Sequence, residues 1–132
     1  MLQKKILVLV GHSGKDLKGV HYALSLAERL QAQVFILQKA GEHGDQNPLA
    51  LWMGEALPDV INSAREAGLS ISHLIANRPL KDEIVELALE EGIDLVILGD
   101  GDDACHGLPL QIKPLVPSQI IQVSEKDQVR YL

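Results

Sequence analysis

The chain has 132 residues, a length suited to one domain spanning residues 1–132, and 46% of them are apolar but only 3% aromatic, so aliphatic side chains must fill the core. The net charge of −6 argues against nucleic acid as a partner, since that binding rests on neutralising phosphates with Lys and Arg, and Lys4-Lys5 is too small a basic cluster to change this. The lone cysteine, Cys105, excludes an internal disulfide and points to a reducing, cytoplasmic setting; no apolar run reaches the ~18 residues of a membrane span, and the first one is too short for a signal peptide.

Taken in order, the chain alternates strand and helix. Ile6 to Val10 reads as a buried strand, and Gly11 to Asp16 as a turn. Val20, Ala23, Leu24, Ala27 and Leu30 mark a helix with one apolar face. Val34 to Leu37 is a second strand, followed by a polar loop from Ala40 to Asn47. Asn47-Pro48 starts a second helix, with Asn as cap and Pro at the first position. Leu57, Val60, Ile61 and Ala64 continue its apolar face to Gly68, and Pro58 is expected to kink or restart it. Leu69 to Ala76 has the mixed pattern of an edge strand.

Pro79 opens a third helix, with Ile84, Val85, Leu87 and Ala88 on one face. Glu83, Glu86, Glu90 and Glu91 lie largely off that face and read as solvated. Gly92 closes the helix in a left-handed conformation that other residues resist. Ile93 to Gly99 is then an apolar strand, buried on both faces and central in a parallel sheet. It breaks into an acidic loop, Asp100 to His106, at the strand end where open α/β sheets bind ligands. Pro109, Pro114 and Pro117 interrupt the next stretch, Gln119 to Val123 is a fifth strand, and Glu125 to Leu132 a short polar tail. The alternation predicts an α/β fold, a doubly wound parallel sheet with right-handed crossovers.

The run Ile6 to Ser13, followed by Tyr22-Ala23-Leu24-Ser25-Leu26-Ala27, resembles the opening of the universal stress protein family, within the adenine nucleotide alpha hydrolase-like superfamily. Pro79 to Gly99 is similar to that family's third helix and fourth strand, through Asp82-Glu83-Ile84, Ala88 and Glu91 to Gly99. The resemblance implies a five-stranded sheet in the order 3-2-1-4-5. It also implies adenine nucleotide binding at the carboxyl ends of strands 1, 2 and 4, and homodimers paired through the fifth strand.

The departures fall in the loops. Family members usually carry Asp at the end of strand 1, where Gly11 stands here; Ser13 matches. ATP-binding members have a Gly-x-x-Gly turn after strand 4 and, later, Gly-Ser or Gly-Thr. Gly99 matches the first glycine, Asp102 replaces the second, and no later Gly-Ser or Gly-Thr exists. Phosphates require backbone N–H groups and positive potential. The loop offers Asp100, Asp102 and Asp103 instead, with no Lys or Arg before Lys113. A damaged triphosphate site and a shortened last crossover are expected.

The start of strand 1, with Leu17-Lys18, is also similar to the electron-transfer flavoprotein subunits, though 132 residues omit their flavin domain. Ser13-Gly14-Lys15-Asp16 is partly similar to the Ser-Gly-Gly-x-Asp-Ser pyrophosphatase loop.

Three chemistries compete for these loops. The first is binding of AMP, ATP or adenosine by Gly11, His12, Ser13, Lys39, Gly99, Asp100 and Gly101, against glycines that serve only as turn residues. The second is a metal site from His12, His43, Asp100, Asp102 and His106, with Asp103 and Cys105 near, whose mixed ligands suit zinc; the alternative is a solvated polar rim. The third, nucleophilic catalysis by Cys105 beside His106, is disfavoured because three nearby carboxylates would raise the thiol pKa. His21, His73, Trp52 and Met53 read as surface or packing residues. The expected protein is a non-enzymatic binding or regulatory module of the stress response with altered adenine nucleotide binding. The alternative is a metal-binding or catalytic relative of the same architecture. A homodimer is expected through Gln119 to Val123, taken as a sheet edge with a poorly covering tail.

Overall fold

The computed structural model describes residues 3–10, 17–39, 48–76, 78–99, 108–123 and 129–131. Its elements are β1 (Lys5–Val10), α1 (Leu17–Leu30), β2 (Gln33–Lys39), α2 (Pro48–Glu66), β3 (Ile71–Ala76), α3 (Leu80–Glu91), β4 (Leu95–Gly99), α4 (Leu108–Ile112), β5 (Gln119–Val123) and β6 (Val129–Tyr131). The sheet runs β3-β2-β1-β4-β5-β6. Its first five strands are parallel, in the expected 3-2-1-4-5 order.

Successive strand residues point to opposite faces, and each face carries its own core. Ile6, Val8 and Val10 join Val34, Ile36 and Ile97 beneath Val20, Ala23 and Ala27 of α1 and Leu57, Ile61 and Ala64 of α2. Leu7 and Leu9 join Phe35, Leu37, Val96 and Leu98 beneath Leu80, Ile84 and Ala88 of α3 and Ile112 of α4. This explains why β1 reads as an unbroken apolar run: both faces are covered. Fully burying one such Val, Leu or Ile contributes roughly 1.5–3 kcal/mol.

The helix ends follow local chemistry. Gln31, after α1, takes a positive φ of 53°, and the Ala32 N–H reaches back to the Ala27 carbonyl. Asp82 and Glu83 lie in the first turn of α3, where the helix dipole favours negative charge. Gly92 ends α3 at φ 69°, ψ 50°, and the N–H groups of Gly92 and Ile93 both donate to the Ala88 carbonyl. The expected left-handed cap is therefore present.

The shortened last crossover is real: α4 has five residues, and Pro114 and Pro117 follow it. The helix does not restart at Pro58; α2 is continuous through it. Pro58 is exposed between buried Leu57 and Ile61, so core packing continues on the opposite side. The fifth strand is not the sheet edge. Part of the presumed tail forms β6, which pairs antiparallel with β5 through Ile121↔Tyr131, Gln122↔Arg130 and Val123↔Val129. The chain covers its own edge by returning on itself, which a parallel crossover could not do in so few residues.

Candidate functional site

β2 and β3 lie on one side of β1, and β4 and β5 on the other. The direction of winding therefore reverses between β1 and β4, at the position where α/β sheets open a crevice beyond the carboxyl ends of their strands. The register Ile6↔Leu95, Leu7↔Val96, Val8↔Ile97 sets β1 and β4 side by side. Val10 lies opposite Gln38 of β2, and Lys39 opposite Ala76 of β3. The last residues of β1, β2 and β4 thus share one end of the sheet. α1 crosses this strand pair closely: a Cβ added at Gly19 would lie 3.6 Å from Val8 Cγ2 and 3.8 Å from Ile97 Cγ2.

Of the residues expected to bind nucleotide, Lys39 ends β2 and Gly99 ends β4. Gly11, His12, Ser13, Asp100 and Gly101 lie outside the described residues, as do His43, Asp102, Asp103, Cys105 and His106. What the fold supplies is the framework: it brings the end of β1, before Gly11, beside the end of β4, before Asp100. Among the described residues no group of three or more His, Cys, Asp or Glu could hold a metal ion. No helix among them is long and apolar enough to cross a membrane.

Clefts lined by described residues lie away from this end of the sheet. One, of about 450 Å³, runs between α1 and α2 over Leu24, Val60 and Leu69, with His21, Glu28 and Asp59 in its lining. Another, of about 500 Å³, lies at the amino ends of the strands, lined by Lys4, Lys5, Gln33, Glu91 and Asp94 among others. There Asp94 Oδ2 accepts the Lys5 backbone N–H at 2.9 Å, and Lys5 Nζ donates to the Glu91 carbonyl at 2.7 Å. Sequence reading missed this network because Asp94 looks like one polar interruption in an apolar run.

One charged cluster on the remaining surface centres on Arg78. Arg78 bonds Glu83 at 3.0 Å and also bonds Glu86, and these bonds hold its pKa above the usual guanidinium value. His73 is exposed on β3 and bonds Gln38 Oε1 at 2.9 Å. Partial burial, then the nearby Arg65 charge, lowers its pKa from the ordinary 6.5. His21 is exposed on α1. Trp52 and Met53 fall within α2, their side chains outside the described residues.

No curated protein sequence matches the chain significantly. Among solved structures, the universal stress protein UspA from Lactobacillus plantarum is 21% identical, with a TM-score of 0.62 over 92% of this chain and 98% of that one. The universal stress protein from Archaeoglobus fulgidus in complex with dAMP is 17% identical, with a TM-score of 0.62 over 92% of this chain and 98% of that one. A universal stress protein in complex with cAMP is 22% identical, with a TM-score of 0.60 over 94% of this chain and 98% of that one. The sequence pattern of the universal stress protein family matches residues 3–104, most of the chain. With the 3-2-1-4-5 parallel sheet and its reversal between β1 and β4, this match means that the chain belongs to the universal stress protein family.

Proposed function

We propose that the chain is a binding and regulatory module, not an enzyme, that takes an adenine nucleotide at the carboxyl ends of β1, β2 and β4. The observation that carries the reading is the reversal of strand order between β1 and β4, which makes this end of the sheet the expected ligand crevice. Family members solved with dAMP and cAMP support it. Gly11, His12, Ser13, Lys39, Gly99, Asp100 and Gly101 form the binding set. A cytoplasmic role in the stress response accords with the family and with the single cysteine, Cys105.

The phosphate end of the ligand is restricted. Asp102 replaces a glycine of the phosphate-binding turn, and Asp100 and Asp103 add negative charge where a triphosphate would lie. Each added phosphate then meets repulsion from these carboxylates, in a stretch with no Lys or Arg before Lys113. AMP or adenosine should bind no worse than ATP. Asp102→Gly alone should not produce tight ATP binding, since the later Gly-Ser is absent. Calorimetric titration with the three ligands is the test; ATP binding about tenfold tighter than AMP, or roughly 1.4 kcal/mol, would refute the reading. Assembly through β5, which the family resemblance implies, requires β6 to leave the outer edge of that strand.

A further inference from the structure

α1 and α2 cover one face of the sheet, over the core that Val8, Val34 and Ile36 share. α1 leads from β1 to β2 and α2 from β2 to β3, and these strands are parallel. Each helix therefore runs back against the strands, and the two point the same way. Between them lies the cleft of about 450 Å³ floored by Leu24, Val60 and Leu69, which are half-buried against the core below. The residues that α2 and the turn after it present to the cleft, Ser63, Ala64 and Ala67, are small, so the space stays open. Its volume falls within the roughly 300–1,000 Å³ of small-molecule sites.

The two ends of this cleft carry charge of one sign. On α1, Glu28 follows His21 by about 10 Å along the helix axis. On α2, Asp59 opens the stretch that lines the cleft and therefore lies toward the His21 end. Glu28 lies at the other end, where it also lines a second, polar cleft together with Ala67 and Leu69 but without His21 or Asp59. Among the described residues neither carboxylate has an ion-pair or hydrogen-bond partner, and no Lys or Arg lines the cleft. Arg65 of α2 donates instead to the Ile71 carbonyl at 2.9 Å.

We propose that this cleft binds a linear aliphatic diamine, an organic dication with an ammonium group at each end and an uninterrupted apolar chain between them. One ammonium pairs with Asp59 and the other with Glu28, and the methylenes displace water from Leu24, Val60 and Leu69. An anion would meet like charge at both ends. A polyamine charged in mid-chain would have to desolvate that charge over the apolar floor, which is costly without a partner. The cleft lies between helices and the nucleotide crevice beyond the carboxyl ends of the strands, so the two readings succeed or fail separately.

The probe is 1,8-diaminooctane, which when extended spans the distance between the carboxylates. It is titrated into the full chain and followed by the NMR methyl shifts of Leu24, Val60 and Leu69, which should saturate at sub-millimolar concentration. Octanoate, spermidine and 1,3-diaminopropane, the last too short to reach both carboxylates, should each bind about tenfold more weakly. Glu28→Gln and Asp59→Asn should each weaken binding several-fold. Ala67→Phe narrows the cleft from an exposed position, keeps both charges, and should do the same. Glu90→Gln removes one charge from the exposed side of α3 and should change nothing, which separates the cleft from the net charge of −6. Methyl shifts that fail to saturate at millimolar concentration overturn the proposal, as does a loss on Glu90→Gln equal to that on Glu28→Gln. Spermidine binding as tightly as 1,8-diaminooctane also overturns it, because the middle of the ligand would then not need to be apolar.

Discussion

Gly19 is buried on α1, directly above Val8 of β1 and Ile97 of β4. The question is whether its lack of a side chain is required there. An added Cβ would lie 3.6 and 3.8 Å from the two methyl carbons, ordinary van der Waals separations. Gly19→Ala therefore meets no steric penalty. Replacing glycine by alanine inside a helix gains roughly 0.5–1 kcal/mol from reduced chain entropy. The new methyl adds at most about 0.8 kcal/mol of burial, less whatever the close approach already excludes. A net stabilisation of about 1 kcal/mol follows, which for a chain of this size raises the melting temperature by about 4 °C. Gly19→Val is the contrasting case. Its branches would push into Val8 and Ile97, and overpacking costs about 1–3 kcal/mol. Thermal unfolding followed by circular dichroism measures both, and AMP titration of the alanine variant checks that the crevice is unchanged. A melting temperature below wild type for Gly19→Ala would refute the reasoning, because it would show that α1 must approach β1 and β4 more closely than these contacts state.

Other outcomes follow from single interactions. Ile84 of α3 is fully buried, so Ile84→Ala should cost about 2–5 kcal/mol in urea unfolding; a smaller loss would mean that the core beneath α3 collapses into the space. Asp94→Ala removes the acceptor for the Lys5 N–H and should cost about 1 kcal/mol, with AMP affinity unchanged by calorimetry, since the bond lies at the far end of the strands. The lowered pKa of His73 means that the unfolded chain takes up the proton first as pH falls below 6.5. Wild type should therefore lose stability relative to His73→Gln from pH 6.5 down through the folded value, and a difference between the two that does not change with pH would contradict this.

The fold was legible where burial is two-sided or backbone chemistry is specific. β1 and β4 announce themselves as apolar runs because both faces meet a core, and Gly92 because few other residues hold φ 69° without strain. β3 showed its edge position in a mixed pattern, and the structure leaves Leu74 and Ile75 partly exposed there. β6 was not legible. Three residues, Val129 to Tyr131, are too few to display a period of two, and their pairing with β5 depends on a reversal of the chain that no local pattern marks. The position of the candidate site followed from strand order, which came from a resemblance and not from periodicity. Its proposed side chains follow no such rule: His12 and Asp100 fall in the sequence outside the periodic stretches that mark strands and helices.

The amino ends of the strands are fastened to one another. At the amino ends, backbone and side-chain bonds tie neighbouring strands before the cores begin. The Gln33 N–H donates to the Lys4 carbonyl, the Asp94 N–H to the Lys5 carbonyl, and the Gln119 N–H to the Asp94 carbonyl. Asp94 returns a bond to the Lys5 N–H, and Ser118 Oγ donates to the Ile93 carbonyl at 2.7 Å. These contacts start β2, β1, β4 and β5 in a fixed register, and a slip by one residue would exchange the two cores. The positions that follow the carboxyl ends of β1 and β4 lie outside the described residues. The departures from the family pattern, Gly11 after β1 and Asp102 after β4, both fall there. The sheet meanwhile matches solved family members at TM-scores of 0.60 to 0.62 with only 17% to 22% identity. In the proposed reading, divergence at the carboxyl end alters what is bound without altering the fold that binds it. The residues that decide the ligand should accordingly be substitutable with little loss of stability, which the residues fastening the amino end should not be.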